Sequence, residues 1–400
     1  MKKLILFIAF GCLAGELPAQ EISRQSIEDS VIGWMTVYHF KGVKTGMKVD
    51  SKVYSVNQLS ICDSFANWIQ ASYMPKGGLG DVKKFVSEKL GLYNQYKAGM
   101  PQSYGAYAKT YTELKYNSSR KLVPNTNSHV WMAVAANGIP NGWPVMDICT
   151  PAQYYFTMPM AATEVSETNM LPLLDISGNA SIKPFTSFWV KNLGYGRGKE
   201  QVLLCKDNKS PFIILTKGEF LQALEKAIPV FYEKEKKRIY EAEQGNQQRL
   251  VFPMKQLDEK IIRYKTGLEK TREKYRNRLN EPATTSYQPN LVDLDFGRDI
   301  FTSQYLTDPE TIQTRYPVYT VDPAVTALCK TDKPQWILIS WDYWPGDATE
   351  QQQHDAIISN FNFEYIYNFF FAPEKIKGQL YKPLHSKPTV ELCRKLYFSN

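Results

Sequence analysis

In the stretch Ser60–Met74 apolar residues recur at intervals of three and four: Phe65, Trp68, Ile69 and Tyr73 share one side of a helix, and Pro75 with the glycines after it ends the run. Val82–Leu90 reads as a second short helix. From Ser103 the pattern becomes that of strands. Tyr104–Lys115, His129–Ala136, Trp143–Ile148 and Tyr154–Met158 are rich in β-branched and aromatic residues, and Asn125, Asn127, Asn137-Gly138 and Asn141-Gly142 punctuate them. Phe188–Asn192 and Gln201–Cys205 add two strands, with Gly194–Gly198 as a hairpin loop. Thr216 at an N-cap and Glu219 three residues on form a capping box, which opens a helical region reaching about Asn280. Pro229 and Val251-Phe252-Pro253 are expected to divide it, and Lys255–Leu279 is apolar on one side only. A buried strand at Gln335–Tyr343, a turn at 344–347 and a helix at Ala348–Phe371 close the pattern. The class predicted is α+β, in three pieces: residues 20–212, a helical arm 213–285 and a C-terminal α/β domain 286–400.

Composition adds a compartment. Lys2 and Lys3 precede the apolar run Leu4–Ala14, and Leu17-Pro18-Ala19 follows with a small residue at its end. That is the layout of an export signal over residues 1–19, with a run too short to span a bilayer. The mature chain is therefore expected to be soluble in the periplasm or outside the cell, with no transmembrane segment. Removing the leader takes Cys12 and leaves Cys62, Cys149, Cys205, Cys329 and Cys393. An odd number of cysteines in an oxidising compartment leaves at least one thiol unpaired unless two chains are joined. None is spaced as C-x-x-C, and His39, His129, His354 and His385 are scattered, so no metal and no organic cofactor is expected. The net charge of +8 is modest and lies largely in mixed-sign helical stretches, which excludes a nucleic-acid footprint.

Against that background Cys62 stands out. With Ser60 as N-cap and Asp63 completing a Ser-x-x-Asp box, Cys62 would occupy the second helical position, where unpaired amides and the helix dipole favour a nucleophilic thiolate. A nucleophile needs a base and the base an orienting acid. If Ala136–Pro140 is the loop of a hairpin, His129 on one strand lies directly opposite Asp147 on the next.

Three short motifs occur in a telling order: "CDSFA" at Cys62–Ala66, "HVW" at His129–Trp131 and "GWPVMDICTP" at Gly142–Pro151. Together they resemble the motifs of the transglutaminase-like superfamily over roughly residues 50–160. The resemblance implies a papain/transglutaminase-like N-terminal domain, a helix-start cysteine packed on an antiparallel sheet. It also implies Cys62 as nucleophile, His129 as general base and then acid, and Asp147 as imidazole orienter. The function implied is an exported cysteine-dependent amide hydrolase or acyl transferase, acting through a thioester on peptide or protein substrates, cell-wall peptides included. The alternative is a secreted binding or scaffold protein that keeps such a core for its shape, with the helical arm and C-terminal domain as contact surfaces. Glycan binding through Trp341, Tyr343 and Trp344 rests on aromatic composition alone. "PKGGLGDV" at 75–82 resembles the lysine-glycine phosphate loop of glycogen and starch synthases, but it follows a helix instead of a first strand, and its glycines are expected to shape the helix exit.

Overall fold

A computed structural model describes residues 33–37, 46–49, 52–86, 99–124, 129–140, 143–158, 176–191, 198–285, 289–308, 316–343 and 346–385. The leader, Cys12, Cys393, Trp344 and most of the Gly194–Gly198 loop lie outside the described residues. Along the chain, β1 (Trp34–Val37), β2 (Met47–Val49) and β3 (Lys52–Tyr54) precede helix α1 (Val56–Ser72). Then come β4 (Leu79–Val86), β5 (Tyr104–Tyr111), β6 (Leu114–Tyr116), β7 (Leu122–Pro124), β8 (His129–Ala136), β9 (Trp143–Pro144) and β10 (Tyr155–Thr157). Strands β11 (Thr186–Lys191), β12 (Gly198–Cys205) and β13 (Phe212–Ile214) lead into α2 (Lys217–Ala242) and α3 (Gln247–Lys274). The chain closes with β14 (Thr284–Thr285), α4 (Leu291–Asp295), β15 (Tyr316–Val321), α5 (Pro323–Leu328), β16 (Trp336–Tyr343), α6 (Ala348–Asn360) and α7 (Phe363–Phe371).

Seven strands form one sheet in the order β1-β4-β5-β8-β16-β12-β11, antiparallel throughout except that β1 runs parallel to β4. The smaller sheet, β13-β15-β10-β9, is antiparallel. Strand periodicity sorts the side chains into layers. On one face of the larger sheet, Met132, Val134 and Ala136 of β8 and Ile337, Ile339 and Trp341 of β16 pack under α1, α6 and α7. On the opposite face, Leu203 and Cys205 of β12 and Trp336 and Leu338 of β16 meet Phe156 and Phe212 of the smaller sheet. Tyr155 and Val318, facing away from them, pack against Phe220, Leu224, Tyr264 and Leu268 of the α2–α3 hairpin. The result is a helix–sheet–sheet–helix stack. Trp68 ties α1 to the end of the chain, stacked on Tyr381 at 5.5 Å and edge-on to Tyr365 at 5.9 Å.

The α+β class with antiparallel sheets is as the sequence predicts, and several details differ. Leu79–Val86 is a strand, β4, where Val82–Leu90 reads as a helix; residues 87–90 lie outside the described residues. Gly80 explains part of that: a Cβ there would come within 2.5 Å of the Trp34 ring, so the glycine serves the close β1–β4 approach and not a phosphate. Pro229 and Pro253 lie inside α2 and α3, and the turn falls instead at Glu243–Asn246. Trp143–Ile148 is a two-residue strand followed by a 3-10 turn at Met146–Ile148. Strand β16, from the 286–400 segment, sits between β8 and β12 in the middle of the larger sheet, so the C-terminal piece is not a separate domain. Trp341 and Tyr343 are buried in the core and offer no face to a glycan.

Candidate functional site

Helix α1 begins earlier than the sequence pattern suggests. Its N-cap is Ser55, whose hydroxyl accepts from the Gln58 amide at 3.2 Å while the Ser55 amide donates to Gln58 Oε1 at 3.0 Å. Cys62 is thus beyond the first turn, where amides are already paired and the dipole no longer acts on a side chain. It is 0 % exposed, on the same stripe as Leu59, Phe65, Ala66 and Ile69. Its thiol donates to the Gln58 carbonyl at 3.4 Å and approaches the Phe85 carbonyl at 3.7 Å. Burial pushes the thiol up to about 12, against a weaker opposing pull from Lys84. Asp63 takes no part in a cap; it pairs with Lys84, whose side chain is buried beneath the helix. At neutral pH Cys62 is a thiol, the non-nucleophilic form.

The expected partners lie elsewhere. Strand β8 pairs with β5 and β16, and β9 pairs with β10, so the strands carrying His129 and preceding Asp147 do not form the hairpin that would face those residues. The sheet neighbours of Cys62 are Phe85 and Gly105, which pair with each other, and Gly105 pairs in turn with Ala135. His129 is opposite Tyr111, at the far end of β8. At about 3.3 Å per residue, the backbone from Ala135 to His129 extends about 20 Å. Asp147 sits in the 3-10 turn, and its Oδ2 accepts the Leu291 amide at 2.6 Å, anchoring the start of α4. Burial raises its pKa, while the Leu291 amide, Lys234 and Lys260 act the other way. Cys62, His129 and Asp147 are not brought together. The glycines of 75–82 form no phosphate cradle either, since β4 begins at Leu79.

Two other arrangements emerge. The first is a buried polar array under α6. His354 Nδ1 lies 2.9 Å from Glu200 Oε2 and accepts or faces the Trp341 indole N–H at 3.2 Å, and the Tyr343 ring stacks on the imidazole at 4.1 Å. An indole N–H only donates and a carboxylate only accepts. Nδ1 therefore donates to Glu200 when it carries a proton and accepts from Trp341 when it does not. Glu350, one turn before His354 on α6, and Gln353 are buried beside it, and Gln353 donates to the Trp131 carbonyl at 3.0 Å. The sequence held a signal for this array: Glu350-x-x-x-His354 stacks both on one helix face, and Glu200 occupies the same strand parity as the core residues Val202 and Leu204. With Glu200, His354 and Glu350 all fully buried, the array holds α6 to the sheet and has no access for a substrate.

The second is a cleft of about 780 Å³ at the start of α1, lined by Lys52, Ser55, Gln58, Gln102, Pro323 and Lys330 among others. Lys52 and Lys330 are the charged residues on its described wall. Among the described residues no cluster of three or more side chains has metal-ligating geometry, and no helix is long and apolar enough to cross a membrane. Comparison with family models, with curated proteins and with solved structures found no match.

Proposed function

We propose that the chain is an exported, non-catalytic binding or scaffold protein whose core keeps the motifs of a transglutaminase-like domain without its chemistry. The observation that carries this reading is the burial of Cys62, protonated and packed against Gly105, whose strand partner Ala135 is about 20 Å of strand from His129. Acyl transfer needs a thiolate in contact with its base, open to a carbonyl carbon. A fully buried thiol hydrogen-bonded to backbone carbonyls meets none of these requirements. The surfaces suited to contact are the cleft at α1 and the distal part of the α2–α3 hairpin, where Tyr240, Val251 and Phe252 are exposed. Export is carried by the leader pattern at residues 1–19.

An activated ester tests the reading without knowledge of a substrate. With p-nitrophenyl acetate the native protein should release no burst of p-nitrophenol, and intact-mass measurement should find no acetyl group on Cys62. A stoichiometric burst with the acetyl group on Cys62, abolished in Cys62→Ala, would restore the enzyme.

A further inference from the structure

We infer that a pyranose sugar is the ligand of a second cavity, about 340 Å³ in volume, between α7, the segment before β11 and the turn after β12. This goes beyond the binding-protein reading and does not depend on it, since the cavity shares no lining residue with the cleft at the start of α1. Glu364, Tyr367 and Asn368 follow one another at spacings of three and four along α7, which puts them on one side of the helix, and all three line the cavity. Asn368 carries the inference. It is only 6 % exposed, yet among the described residues its side-chain amide has no hydrogen-bond partner, and neither amide atom is sealed off in the core. A polar group held this far from water ordinarily has a partner within the fold. Without one, Asn368 keeps a donor and an acceptor, side by side, for what enters the cavity. Neighbouring hydroxyls on a sugar ring are the complement: one accepts from Nδ2 and the next donates to Oδ1.

The rest of the wall suits the rest of a sugar. The rings of Phe185 and Tyr367 lie 5.5 Å apart, tilted by 40°. The electron-rich face of an aromatic ring attracts the C–H groups that line one side of a pyranose. Glu364 and Lys375 are the charged lining residues, one of each sign and both exposed, so the wall selects no ion, and the carboxylate adds acceptors for hydroxyls. The volume is at the small end of the range for small-molecule sites, which suits a single ring. The frame is fastened from several sides. Asp207 and Asn208 both hold the left-handed conformation at φ 54°, which short polar side chains tolerate. In that turn the Asp207 amide donates to the Tyr367 hydroxyl at 3.3 Å, and Asn208 Nδ2 donates to the Pro184 carbonyl at 2.8 Å. Ser181 donates to Asn179 Oδ1 at 2.6 Å, and the Leu384 amide donates to the Asn360 carbonyl at 2.9 Å. A ligand would therefore meet a largely preformed site.

Saturation-transfer NMR on the full chain with methyl α-glucopyranoside, methyl α-mannopyranoside and methyl β-galactopyranoside tests the assignment, with cyclohexanol and the zwitterion alanine as competitors. At least one pyranoside should receive saturable transfer, strongest at its ring C–H protons, and neither competitor should displace it. Asn368→Ala should weaken that binding at least tenfold while keeping or raising the thermal midpoint, because the amide makes no bond inside the protein. Glu364→Gln, at an exposed position, should weaken it at least threefold and serves if the first variant is impaired in folding. No transfer to any of the three sugars at tens of millimolar, displacement by alanine or cyclohexanol, or binding indifferent to both substitutions would each overturn the assignment. None of these outcomes alters the state of Cys62. An acetyl group on Cys62 in the ester experiment would remove the binding-protein reading and leave the sugar site standing, so the two failures are distinguishable.

Discussion

Cys62 lies three and four residues before Phe65 and Ala66, and that spacing alone places it on the buried stripe of α1. The sequence holds this signal in full. What hides it is the choice of cap, since Ser60 and Ser55 both suit an N-cap and only the Ser55–Gln58 pair leaves Cys62 in the core. The other described cysteines follow the same logic. Burial raises Cys329 to about 12 and Cys149 and Cys205 to about 11, as it raises Cys62 to about 12. A thiol whose pKa is higher folded than unfolded has its full stabilising effect below the unfolded value near 8.5 and loses it as pH rises through the folded value. Each such thiol should therefore remove about 1.4 kcal/mol of stability per pH unit from about pH 9 to about pH 11. Urea midpoints measured from pH 7 to 10.5 should fall above pH 9, and Cys62→Ala should flatten the slope. Glu200 and His354 make a sharper pair. His354→Ala leaves a buried carboxylate without its imidazole and should cost about 3–5 kcal/mol in urea unfolding. Glu200→Gln, which keeps the shape and removes the charge, should cost clearly less.

Helices and strands were readable where a single period governs them. β8 and β16 are near-continuous apolar runs buried on both faces, β5 alternates from Ala106 on, and Thr216 with Glu219 caps α2 as their spacing requires, with Thr216 Oγ1 accepting the Glu219 amide at 3.2 Å. β4 does not show as a strand in the pattern because Lys83 and Lys84 interrupt the alternation, and Lys84 is drawn inward by an aspartate on α1 that no local pattern reveals. Pro229 and Pro253 fail to break α2 and α3 because packing overrides the lost backbone bond. Buried residues flank them, Ile228 before Pro229 and Leu250 and Leu257 around Pro253, while Pro229 itself is exposed. This divides the hairpin into two energetic regimes. Leu224→Ala or Leu268→Ala, in the proximal core, should cost about 2–5 kcal/mol. Phe252→Ser, at a residue 67 % exposed, should change stability by about 0.5 kcal/mol or less. Denaturation of the three variants side by side checks the contrast.

At the scale of the molecule, the layer arrangement could not be read from the sequence. β16 enters the centre of a sheet whose other strands precede it by more than a hundred residues, and pairing at that separation leaves no local trace. The same long-range pairing undid the proposed hairpin, because β8 takes β16 as its neighbour and β9 joins the second sheet. Among the described residues Cys62, Cys149, Cys205 and Cys329 are all free, so the stacked cores they sit in are held by packing and not by cross-links between them. Adding a thiol reductant should leave the thermal midpoint unchanged. A Cys62 that belongs to the core is out of reach of reagents until the protein unfolds. Its most direct test is the rate of iodoacetamide alkylation at Cys62, followed by peptide mass from pH 6 to 9 in the native protein and in His129→Ala. Labelling should proceed at only the rate of unfolding, far slower than in urea and the same in both proteins. Rapid native labelling near pH 7 that slows when His129 is replaced would contradict it.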